Sequence, residues 1–314
     1  MTKKKKILVL GATGTLGAEM LHQLSKLNEF DVTGGARNLE SLKMFNRNSN
    51  VTLLEFDAKN FIASPDSYLF DSFDLIINAI GAIKQKNTTS DDLYLLNSVF
   101  PKAIAKNLIN NETRLIHFTT DCVFKGDIKN LKTESTVHDA IDDYGRSKSA
   151  GEISQDNVWN LRASFIGAER NSNFSLLNWF LTQKKGTTVN GFINHIWNGV
   201  TTFHYAKIVT KIVEHDGFPE SRFLNLIPKD EITKFHLLEK IAYYFNRQDI
   251  VINRVSGVED IFRKIDTNFP LQNLALWNSI GKITLPSIEE LISELAIEYK
   301  SRNYLLGNQF RRTN

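Results

Sequence analysis

The chain has 314 residues, of which 42% are hydrophobic and 23% are charged. These proportions are typical of a globular protein and exclude a disordered or fibrous chain. The formal net charge is only +3, which is too small to suggest a surface that binds nucleic acid. The single cysteine, Cys122, excludes an internal disulfide and a cysteine-based zinc site.

The amino terminus has some features of a targeting signal, because Lys3 to Lys6 precede an apolar run. Spaced glycines interrupt that run and no small-residue cleavage motif follows, so we interpret it as a strand and a turn. No uninterrupted apolar stretch approaches the roughly 20 residues that a membrane-spanning helix needs. We therefore expect a soluble, cytoplasmic protein without a membrane partner.

Short apolar runs alternate with helical patterns through the first half of the chain. The predicted strands are 7–10, 32–36, 51–56, 73–80, 115–119 and 158–163, and the helices between them include 16–27, 93–108 and 143–155. Continuous apolar strands separated by helices are typical of a parallel sheet that is buried on both faces. The pattern predicts an α/β fold with a doubly wound parallel sheet of the Rossmann type.

The second half has longer helical stretches and weaker strands. Helices are predicted at 174–184, 201–214, 234–245 and 287–300, and strands at 223–227 and 250–255. We interpret this half as a smaller C-terminal α/β substrate-binding part. The predicted Rossmann domain is 1–165 with about 200–216, the substrate-binding domain is about 166–199 with 217–302, and 303–314 is a tail.

A glycine-rich turn joins the first predicted strand to the first predicted helix. Its glycines follow a G-x-x-G-x-x-G spacing, which permits a tight turn, close approach of a pyrophosphate and close helix packing. Free N–H groups at the start of the helix would hold the phosphates. The predicted contacts with a dinucleotide cofactor are Gly11, Thr13, Gly14, Thr15, Leu16 and Gly17. The alternative is a tight turn without a ligand.

The end of the second predicted strand indicates which nicotinamide cofactor binds. An acidic residue there would pair with the ribose of NAD, but the sequence reads GGARN over 34–38. Arg37 can pair with a 2′-phosphate, which favours NADP(H) over NAD(H); a solvated loop cation is the alternative. Asp57 and Ala58 follow the third strand and are expected beside the adenine, with an exposed loop carboxylate as the alternative for Asp57.

Tyr144 and Lys148 form a Y-x-x-x-K pattern, whose spacing places both on one helical face. A free tyrosine has a pKa of about 10 and exchanges protons poorly at neutral pH. A neighbouring ammonium is expected to lower that pKa. Tyr144 would then donate a proton to a carbonyl oxygen as hydride arrives. Many helices contain the pattern by chance, and its weight here comes from its position after the fifth predicted strand.

Polar residues end the fourth and fifth predicted strands, where the carboxyl ends of parallel strands face a ligand crevice. At the end of the fifth strand, Thr119 is a predicted cofactor contact and Thr120 would hydrogen-bond the reacting oxygen; turn chemistry is the alternative. Asn97, in the helix between the two strands, is expected to orient a water near the lysine, and a helix-surface amide is the alternative. The predicted contacts with the nicotinamide ribose are Asn78, Ala79, Ile80 and Gly81.

His117 and Cys122 lie near these residues but indicate no chemistry of their own. His117 lies inside an apolar strand, which is typical of a core histidine with a hydrogen-bonded ring. The sequence places no histidine where it would activate Cys122 as a nucleophile. The dispersed histidines have no metal-binding spacing, so no metal site is predicted.

Together these motifs resemble the extended short-chain dehydrogenase/reductase superfamily and, within it, the dTDP-4-dehydrorhamnose reductase family. The family pattern S-T-D-Y-V-F-x-G is similar to TTDCVFKG at 119–126, and Y-G-x-[ST]-K-x-x-G-E is similar to YGRSKSAGE at 144–152. Glu134 is the candidate for an acidic residue between them, and LRAS at 161–164 resembles the sixth-strand L-R-x-S. The resemblance covers roughly the first 210 residues.

The resemblance implies an NADPH-dependent reductase of a nucleotide-linked 4-keto-deoxysugar, in the synthesis of cell-surface polysaccharide precursors. Tyr144 would give the proton, Lys148 would hold the ribose and Thr120 would steady the carbonyl oxygen. The C-terminal segments would hold the nucleotide diphosphate, and Ser164 would border the nicotinamide amide. The implied substrate contacts are Asp121, Cys122, Val123, Phe124, Arg162, Asn198 and Thr201. For Arg162, a salt bridge that braces the fold is the alternative.

Several alternatives stay open. Cys122 stands where the family pattern has tyrosine, so another 4-keto or acetamido sugar on UDP or a different carrier fits equally well. A nucleotide-sugar epimerase or dehydratase would use the same scaffold, although Cys122 after Asp121 is not the acid pair of a 4,6-dehydratase. A non-catalytic NADP-binding regulatory subunit would keep the fold, but such proteins often lose the tyrosine or the lysine. Relatives are commonly dimers, which leaves a homodimer open.

Overall fold

The computed structural model of the chain describes residues 3–66, 68–84, 88–108, 112–127, 131–169 and 173–302. The described chain divides into two units. Unit 1 is drawn from Met1–Lys125, Val137–Arg162 and Val209–Leu224, and unit 2 from Gly126–Thr136, Ala163–Ile208 and Asn225–Asn314. The predicted tail, 303–314, lies outside the described residues.

The strands, in chain order, are β1 Lys5–Leu10, β2 Phe30–Ala36, β3 Val51–Glu55, β4 Leu75–Asn78, β5 Arg114–Thr119, β6 Val158–Arg162, β7 Phe165–Ile166, β8 Thr188–Phe192, β9 His195–Trp197, β10 Val200–Thr201, β11 Phe223–Asn225, β12 Ile232–Thr233, β13 Val251–Val255 and β14 Ile261–Arg263. The α-helices are α1 Thr15–Leu24, α2 Ala58–Ala63, α3 Ser90–Tyr94, α4 Phe100–Asn107, α5 Asp143–Ala150, α6 Leu176–Leu181, α7 Thr202–Glu214, α8 Lys234–Tyr244, α9 Pro270–Asn278 and α10 Ile288–Ser301. A π-helical turn spans Leu95–Val99, and 3₁₀ helices span Glu40–Arg47 and Asp121–Val123.

Unit 1 is built on a sheet whose strand order, over the described ranges, is β11-β6-β5-β4-β1-β2-β3. The pairings among β1 to β6 are parallel. Residues 7–10 of β1 and all of β4 are buried, because helices cover both faces of a doubly wound sheet. The α/β fold with a doubly wound parallel sheet, predicted from the sequence, is confirmed. The strand order reverses between β1 and β4, which opens a crevice at their carboxyl ends.

The core of unit 1 joins the central strands to the helices that cover them. It consists of fully or nearly fully buried apolar side chains, among them Leu8, Leu10, Phe70, Ile76, Phe100, Ile104 and Leu115. Aromatic rings pack in tilted and edge-to-face arrangements here, with the Phe61 and Phe100 ring centroids 6.1 Å apart at 89°. This packing fixes the strand ends from which the site residues project.

Unit 2 contains short sheets, with orders β10-β7, β12-β9-β14 and β13-β8 in the described residues. Its core is formed by apolar side chains of α6, α8 and α10, including Leu177, Phe180, Leu237, Leu238, Ile292 and Leu295. Helix α10 begins with the capping box of Ser287 and Glu290, which satisfies two otherwise unpaired N–H groups. Over the described residues, no helix combines the length and apolar character needed to cross a membrane.

The division into units differs from the predicted domain boundaries in four segments. Segment 126–136 belongs to unit 2, where the carboxylate of Glu134 accepts from the Asn225 and Asn268 N–H groups at 2.8 and 2.7 Å. Residues 217–224 belong to unit 1, because β11 adds to the edge of the large sheet. Residues 163–165 and 200–208 belong to unit 2, so the change from one unit to the other falls within α7.

Candidate active site

The glycine-rich turn after β1 packs against the ends of β2 and β4. Gly11 has a φ of 79°, and a Cβ atom on it would lie 2.9 Å from the carbonyl oxygen of Ala79. A Cβ on Gly17 would lie 2.2 Å from the Gly11 carbonyl oxygen. The Gly11 N–H also donates to the carbonyl of Gly35 at 3.0 Å. Only glycine fits these backbone approaches without displacement of the turn.

The start of α1 is open to a ligand. Its N-cap residue, Gly14, is exposed, and no side chain among the described residues caps the helix. The first N–H groups of a helix have no partner inside it, and the helix dipole adds positive potential. Thr13 and Thr15 are half-buried beside these groups, whereas Leu16 and Gly17 are buried. This cradle fits the pyrophosphate of a dinucleotide.

The residues predicted to contact the adenosine part of the cofactor lie after β2 and β3. Arg37 is exposed. It lies two positions after Gly35, whose carbonyl accepts from the Gly11 N–H in the glycine turn. Asp57 is the N-cap of α2 and accepts from the N–H groups of Lys59 and Asn60 at 2.7 and 3.2 Å, a role that differs from the predicted contact with adenine. Ala58 is buried.

Residues 78–81 extend from the end of β4 beside the glycine turn. Asn78 is fully buried, and its side chain accepts from the Ile80 N–H at 3.1 Å. Its amide nitrogen lies 3.2 Å from His117 Nδ1; since the amide donates, that ring nitrogen accepts. Ala79 and Ile80 are half-buried and Gly81 is exposed. Asn78 therefore fixes the start of this segment through its bond with Ile80, whose side chain packs against the core of unit 1.

His117 is a core histidine, as its sequence context indicates, but its ring is only partly hydrogen-bonded. Burial, together with the charge of Lys148, lowers the pKa of His117 to about 3. The ring is therefore neutral, and acceptance at Nδ1 places its proton on Nε2. Within the described residues, Nε2 has no hydrogen-bond partner.

Thr120, Tyr144 and Lys148 converge where β5 ends. The Thr120 hydroxyl donates to Asp121 Oδ1 at 3.1 Å and lies within hydrogen-bonding reach of the Tyr144 phenol. Lys148 Nζ donates to the Phe118 carbonyl at 3.3 Å. The same ammonium lies 3.1 Å from the position that a Cβ on Gly81 would take. The three side chains are therefore at the carboxyl ends of β4 and β5, in the unit that also holds the glycine turn.

The pKa of Tyr144 moves in the direction opposite to the sequence prediction. Burial raises it above its ordinary value, and the neighbouring Cys122 and Asp121 raise it further, while the hydrogen bond with Thr120 lowers it. The prediction of a lowered pKa is wrong for this structure, because desolvation outweighs any effect of Lys148. The phenol is consequently protonated at neutral pH, as a proton donor must be.

Lys148 has a strongly perturbed amine. Lys148 is only 7% exposed. This burial lowers the pKa of its amine to about 8, although the carboxylate of Glu152 opposes the shift. The amine is therefore mostly charged at neutral pH and close to its titration midpoint. Perturbed groups of this kind concentrate at functional sites.

Asn97 is not a helix-surface amide, because it is fully buried. It lies in the π-helical turn that interrupts the single helix predicted at 93–108, a feature common at functional sites. Its side-chain oxygen accepts from the Ala82 N–H at 2.8 Å, and its side-chain nitrogen donates to the Ala82 carbonyl at 3.1 Å. The same nitrogen donates to Ser147 Oγ at 3.0 Å. Asn97 therefore links the segment after β4 to the residue that precedes Lys148.

The residues predicted to contact substrate in unit 1 have different surroundings. Asp121 is 4% exposed, and its Oδ2 atom is buried without a hydrogen-bond partner in the described part of the chain. Cys122 is half-buried beside it. Val123 and Phe124 are at most 2% exposed, which favours packing over ligand contact. Arg162 is 1% exposed and pairs with Glu152 at 2.8 Å, which favours the salt bridge that the sequence left open, and its contact with substrate stays a prediction.

A buried polar network that the sequence does not predict joins β5, β6 and the residue after the C-cap of α5. Glu152 Oε1 accepts from Thr119 Oγ1 at 2.9 Å, and Arg162 donates to both carboxylate oxygens. The Nη2 atom of this guanidinium, which donates to both carboxylate oxygens, also lies 3.0 Å from His138 Nε2. Glu152 was visible in the YGRSKSAGE motif, but no pattern connects it with His138, which lies 14 positions earlier in a loop.

Ser164, Asn198 and Thr201 belong to unit 2. Ser164 Oγ accepts from the indole of Trp197 at 2.8 Å. The amide of Asn198 bonds in both directions with the backbone of Ile265, at 2.7 and 3.0 Å. Thr201 is fully buried and its hydroxyl lies 2.6 Å from His204 Nδ1. These bonds favour structural roles, and contact with cofactor or substrate stays a prediction for all three.

One protein family has a sequence profile that matches most of the chain. The family is described as the RmlD substrate binding domain, and the match covers residues 5–237. No curated protein sequence shows significant similarity to the chain.

Over the described residues, no group of histidine, cysteine and acidic side chains is arranged to hold a metal ion.

Three solved structures share the fold over most of their lengths. The dTDP-4-dehydrorhamnose reductase of Bacillus anthracis str. Ames, in complex with NADP, is 18% identical, with a TM-score of 0.70 over 95% of this chain and 99% of that one. The dTDP-glucose 4,6-dehydratase of the same organism, in complex with NAD, is 17% identical, with a TM-score of 0.74 over 97% and 99%. The UDP-glucuronic acid 4-epimerase of Bacillus cereus, in complex with NAD, is 14% identical, with a TM-score of 0.68 over 94% and 99%. At these identities the likeness shows the fold.

Proposed function

This chain belongs to the RmlD substrate binding domain family, and we propose that it is an NADPH-dependent reductase of a nucleotide-linked 4-keto-deoxysugar. The observation that carries the proposal is the convergence of Thr120, Tyr144 and Lys148 at the strand ends of unit 1. A protonated phenol beside a threonine hydroxyl is suited to protonate and orient a carbonyl oxygen during its reduction.

The cofactor proposal rests on the glycine turn and on Arg37. The uncapped start of α1 binds the pyrophosphate through its N–H groups, and the exposed guanidinium of Arg37 pairs with a 2′-phosphate. No carboxylate stands in the segment 34–38 to pair with ribose hydroxyls instead. NADPH, when bound, supplies the hydride. The reductase and dehydratase structures described above hold NADP and NAD respectively.

The protein's own residues would manage the proton and the carbonyl. Tyr144 holds its proton at neutral pH, because its pKa is raised, and would donate it to the oxygen as the carbonyl is reduced. Thr120 would hydrogen-bond the same oxygen and fix its orientation. Lys148, charged below about pH 8, would stabilise the phenolate that remains.

A nucleotide-sugar epimerase or dehydratase on this fold is the second candidate, since such enzymes share the architecture. Cys122 follows Asp121 directly, so the turn lacks the acid pair that would favour a dehydratase. An epimerase keeps its cofactor through the cycle, so purified protein carrying tightly bound oxidised cofactor would favour that reaction.

The test is a screen of nucleotide-linked 4-keto sugars on dTDP and UDP carriers, following the loss of NADPH absorbance. We expect turnover with at least one substrate, dependent on NADPH. The Tyr144→Phe variant, which keeps the ring, is expected to lose turnover by about two to four orders of magnitude, the range ascribed to general acid catalysis, while it still binds NADPH. Undiminished turnover in this variant would contradict the proposed role of the phenol.

A further inference from the structure

Helix α5 carries Lys148 between two serines whose hydroxyls have different partners. Ser147 Oγ accepts from Asn97 at 3.0 Å, and Ser149 Oγ lies 2.7 Å from His138 Nδ1. Since an α-helix turns by about 100° per residue, the two serines point about 200° apart, with Lys148 midway between them. The two contacts therefore oppose rotation of α5 about its axis, which would change the direction of Lys148.

His138 lies in the loop before α5 and links this helix to β6. Its Nε2 atom lies 3.0 Å from Nη2 of Arg162 on β6, and a guanidinium can only donate. Nε2 therefore accepts, which leaves the proton of a neutral ring on Nδ1, from where it is donated to Ser149. The link requires one protonation state and one tautomer of the imidazole.

Arg162 is a fixed anchor for the ring. It is 1% exposed, and its Nη2 atom also donates to the two carboxylate oxygens of Glu152 at 2.9 and 2.8 Å. The Phe124 ring packs against both partners, with its centroid 5.3 Å from that of His138 and 5.4 Å from the guanidinium carbon. The imidazole is therefore held in place on the β6 side before it reaches α5.

Three charged groups face His138. The Glu152 carboxylate, 3.6 Å from Nε2, and Asp139 in the same loop favour the charged ring, whereas Arg162 opposes it. Burial has the largest effect and lowers the pKa of His138 below its ordinary value of 6.5. The ring is therefore neutral at pH 7. In acid, a proton on Nε2 would face the donors of Arg162, so the link to β6 would be lost while Nδ1 still donates to Ser149.

We propose that His138 is a positioning residue for α5: its neutral imidazole, held between Arg162 and Ser149, fixes the rotation of the helix and with it the directions of Tyr144 and Lys148. His138 touches neither substrate nor cofactor and acts only through the helix. The consequence for catalysis rests on the proposed function, whereas the tautomer and the hold on α5 do not.

The first test determines the tautomer of His138 in the wild-type protein. Long-range ¹H–¹⁵N correlation spectra of ¹⁵N-histidine-labelled protein distinguish protonated from unprotonated ring nitrogens, and the His138→Phe variant assigns the signals. At pH 7 we expect the proton on Nδ1 and an unprotonated Nε2. A proton on Nε2 at this pH would overturn the proposal, because the ring could not then accept from Arg162.

The second test measures amide hydrogen exchange in α5 of His138→Phe, Ser149→Ala and the double variant. Each single variant should lower the protection of the α5 amides by about two- to tenfold, the effect of one lost hydrogen bond. The double variant should lose no more than His138→Phe, since both changes break the same link. Unchanged protection in both single variants, or losses that add in the double variant, would overturn the proposal.

A matched control removes a similar contact from unit 2. His236 is exposed on α8, and its Nδ1 atom lies 3.0 Å from Thr233 Oγ. His236→Phe is expected to leave the protection of α5 unchanged. In the wild type that protection should fall as the pH falls through the midpoint of His138, and His138→Phe should lack this fall. The same fall in His138→Phe would overturn the requirement for a neutral ring.

The catalytic readout is the pH profile of kcat with NADPH and the best substrate of the screen. At pH 7 His138→Phe is expected to lower kcat by about two- to tenfold, with little change in the KM for the sugar, and to remove the decline of kcat at the His138 midpoint. If the tautomer and the exchange agree with the proposal but no 4-keto sugar is reduced, the role of His138 is supported and the proposed function fails. An unchanged kcat profile in an active His138→Phe protein would overturn the catalytic part.

Discussion

The carbonyl oxygen of Cys122 lies 2.2 Å from the position that a Cβ atom on Gly145 would take. The same Cβ would lie 2.6 Å from the methyl carbon of Ala140. Helix α5 therefore packs backbone to backbone against the turn 121–123, and this approach brings Tyr144 to Thr120. The glycine in the YGRSKSAGE motif is required by packing, although a helix interior normally disfavours it.

The Gly145→Ala variant is expected to lose stability and turnover. In a solvent-exposed helix, a change from glycine to alanine would stabilise the protein by up to about 1 kcal/mol. Here the overlap of the new Cβ with the Cys122 carbonyl forces α5 away from the turn 121–123, at a cost of about 1 to 3 kcal/mol. The sign of the change in unfolding free energy, measured with urea, decides between the two effects. Gly217→Ala is the control, since a Cβ there meets nothing within 4 Å. A Gly145→Ala protein as stable and active as the wild type would contradict the packing argument.

The sheet of unit 1 could be predicted because its strands are continuous apolar runs between helical patterns. Residues 7–10, predicted as a strand, are fully buried within β1, and each of the other five predicted strands in this half overlaps an observed one. The short strands of unit 2 were largely missed. Segments such as β7, β10 and β12 have only two residues each, too few for a periodicity to be detected.

The site could be predicted where chemistry depends on spacing within one segment, as for Tyr144 and Lys148. It could not be predicted where two distant segments meet. The bonds of Asn97 to Ser147 and of Arg162 to Glu152 depend on the register of neighbouring strands and helices. The direction of the Tyr144 pKa was wrong for a similar reason, because burial is a property of the fold and not of the spacing.

Arg37 is expected to set the preference for NADPH. Its exposed guanidinium would pair with the 2′-phosphate, and the loss of a charge-assisted bond costs about 1.5 to 3 kcal/mol, roughly ten- to a hundredfold in affinity. Arg37→Leu should raise the KM for NADPH by that factor and leave the KM for NADH nearly unchanged. Arg47→Leu, at an exposed arginine of the same unit, is the control. An equal effect on both cofactors would argue against recognition of the 2′-phosphate.

Burial of Lys148 is expected to make the stability of the protein depend on pH above neutrality. Its pKa is lowered in the folded protein from 10.5 to about 8, so between these values the unfolded chain binds the proton and the folded chain does not. By linkage, the contribution of Lys148 to stability therefore rises as the pH rises from about 8 to 10.5. The full difference corresponds to about 3 kcal/mol.

The Lys148→Met variant has no titrating amine and should lack this rise. Urea unfolding of both proteins between pH 7 and about 10 is expected to show the wild type gaining on the variant, by at most about 3 kcal/mol. A constant difference over that range would mean that Lys148 keeps its ordinary pKa in the folded protein.

Glu294 in unit 2 is expected to give a stabilisation that acid removes. Its hydrogen bond with His204 Nε2, at 2.9 Å, and its bond with Lys282 lower the pKa of the carboxyl to about 2, against burial. A lowered carboxyl pKa stabilises the fold above the unfolded value of 4.5 and loses that effect as the pH falls toward 2. The side chain is 36% exposed, so solvent screening limits the effect to about 1 kcal/mol.

The Glu294→Gln variant keeps the shape of the side chain and removes its charge. It should be less stable than the wild type at pH 6 by about 1 kcal/mol. The difference should shrink as the pH falls from 4.5 toward 2, because the wild-type carboxyl is protonated first in the unfolded chain and only near pH 2 in the folded protein. Thermal unfolding at a series of pH values measures this convergence. Glu239→Gln, at an exposed position of α8, should show no such trend. Stability curves of wild type and Glu294→Gln that stay parallel down to pH 3 would contradict the coupling of this carboxylate to His204 and Lys282. A difference that does not depend on pH would mean that the charge of Glu294 does not contribute to stability.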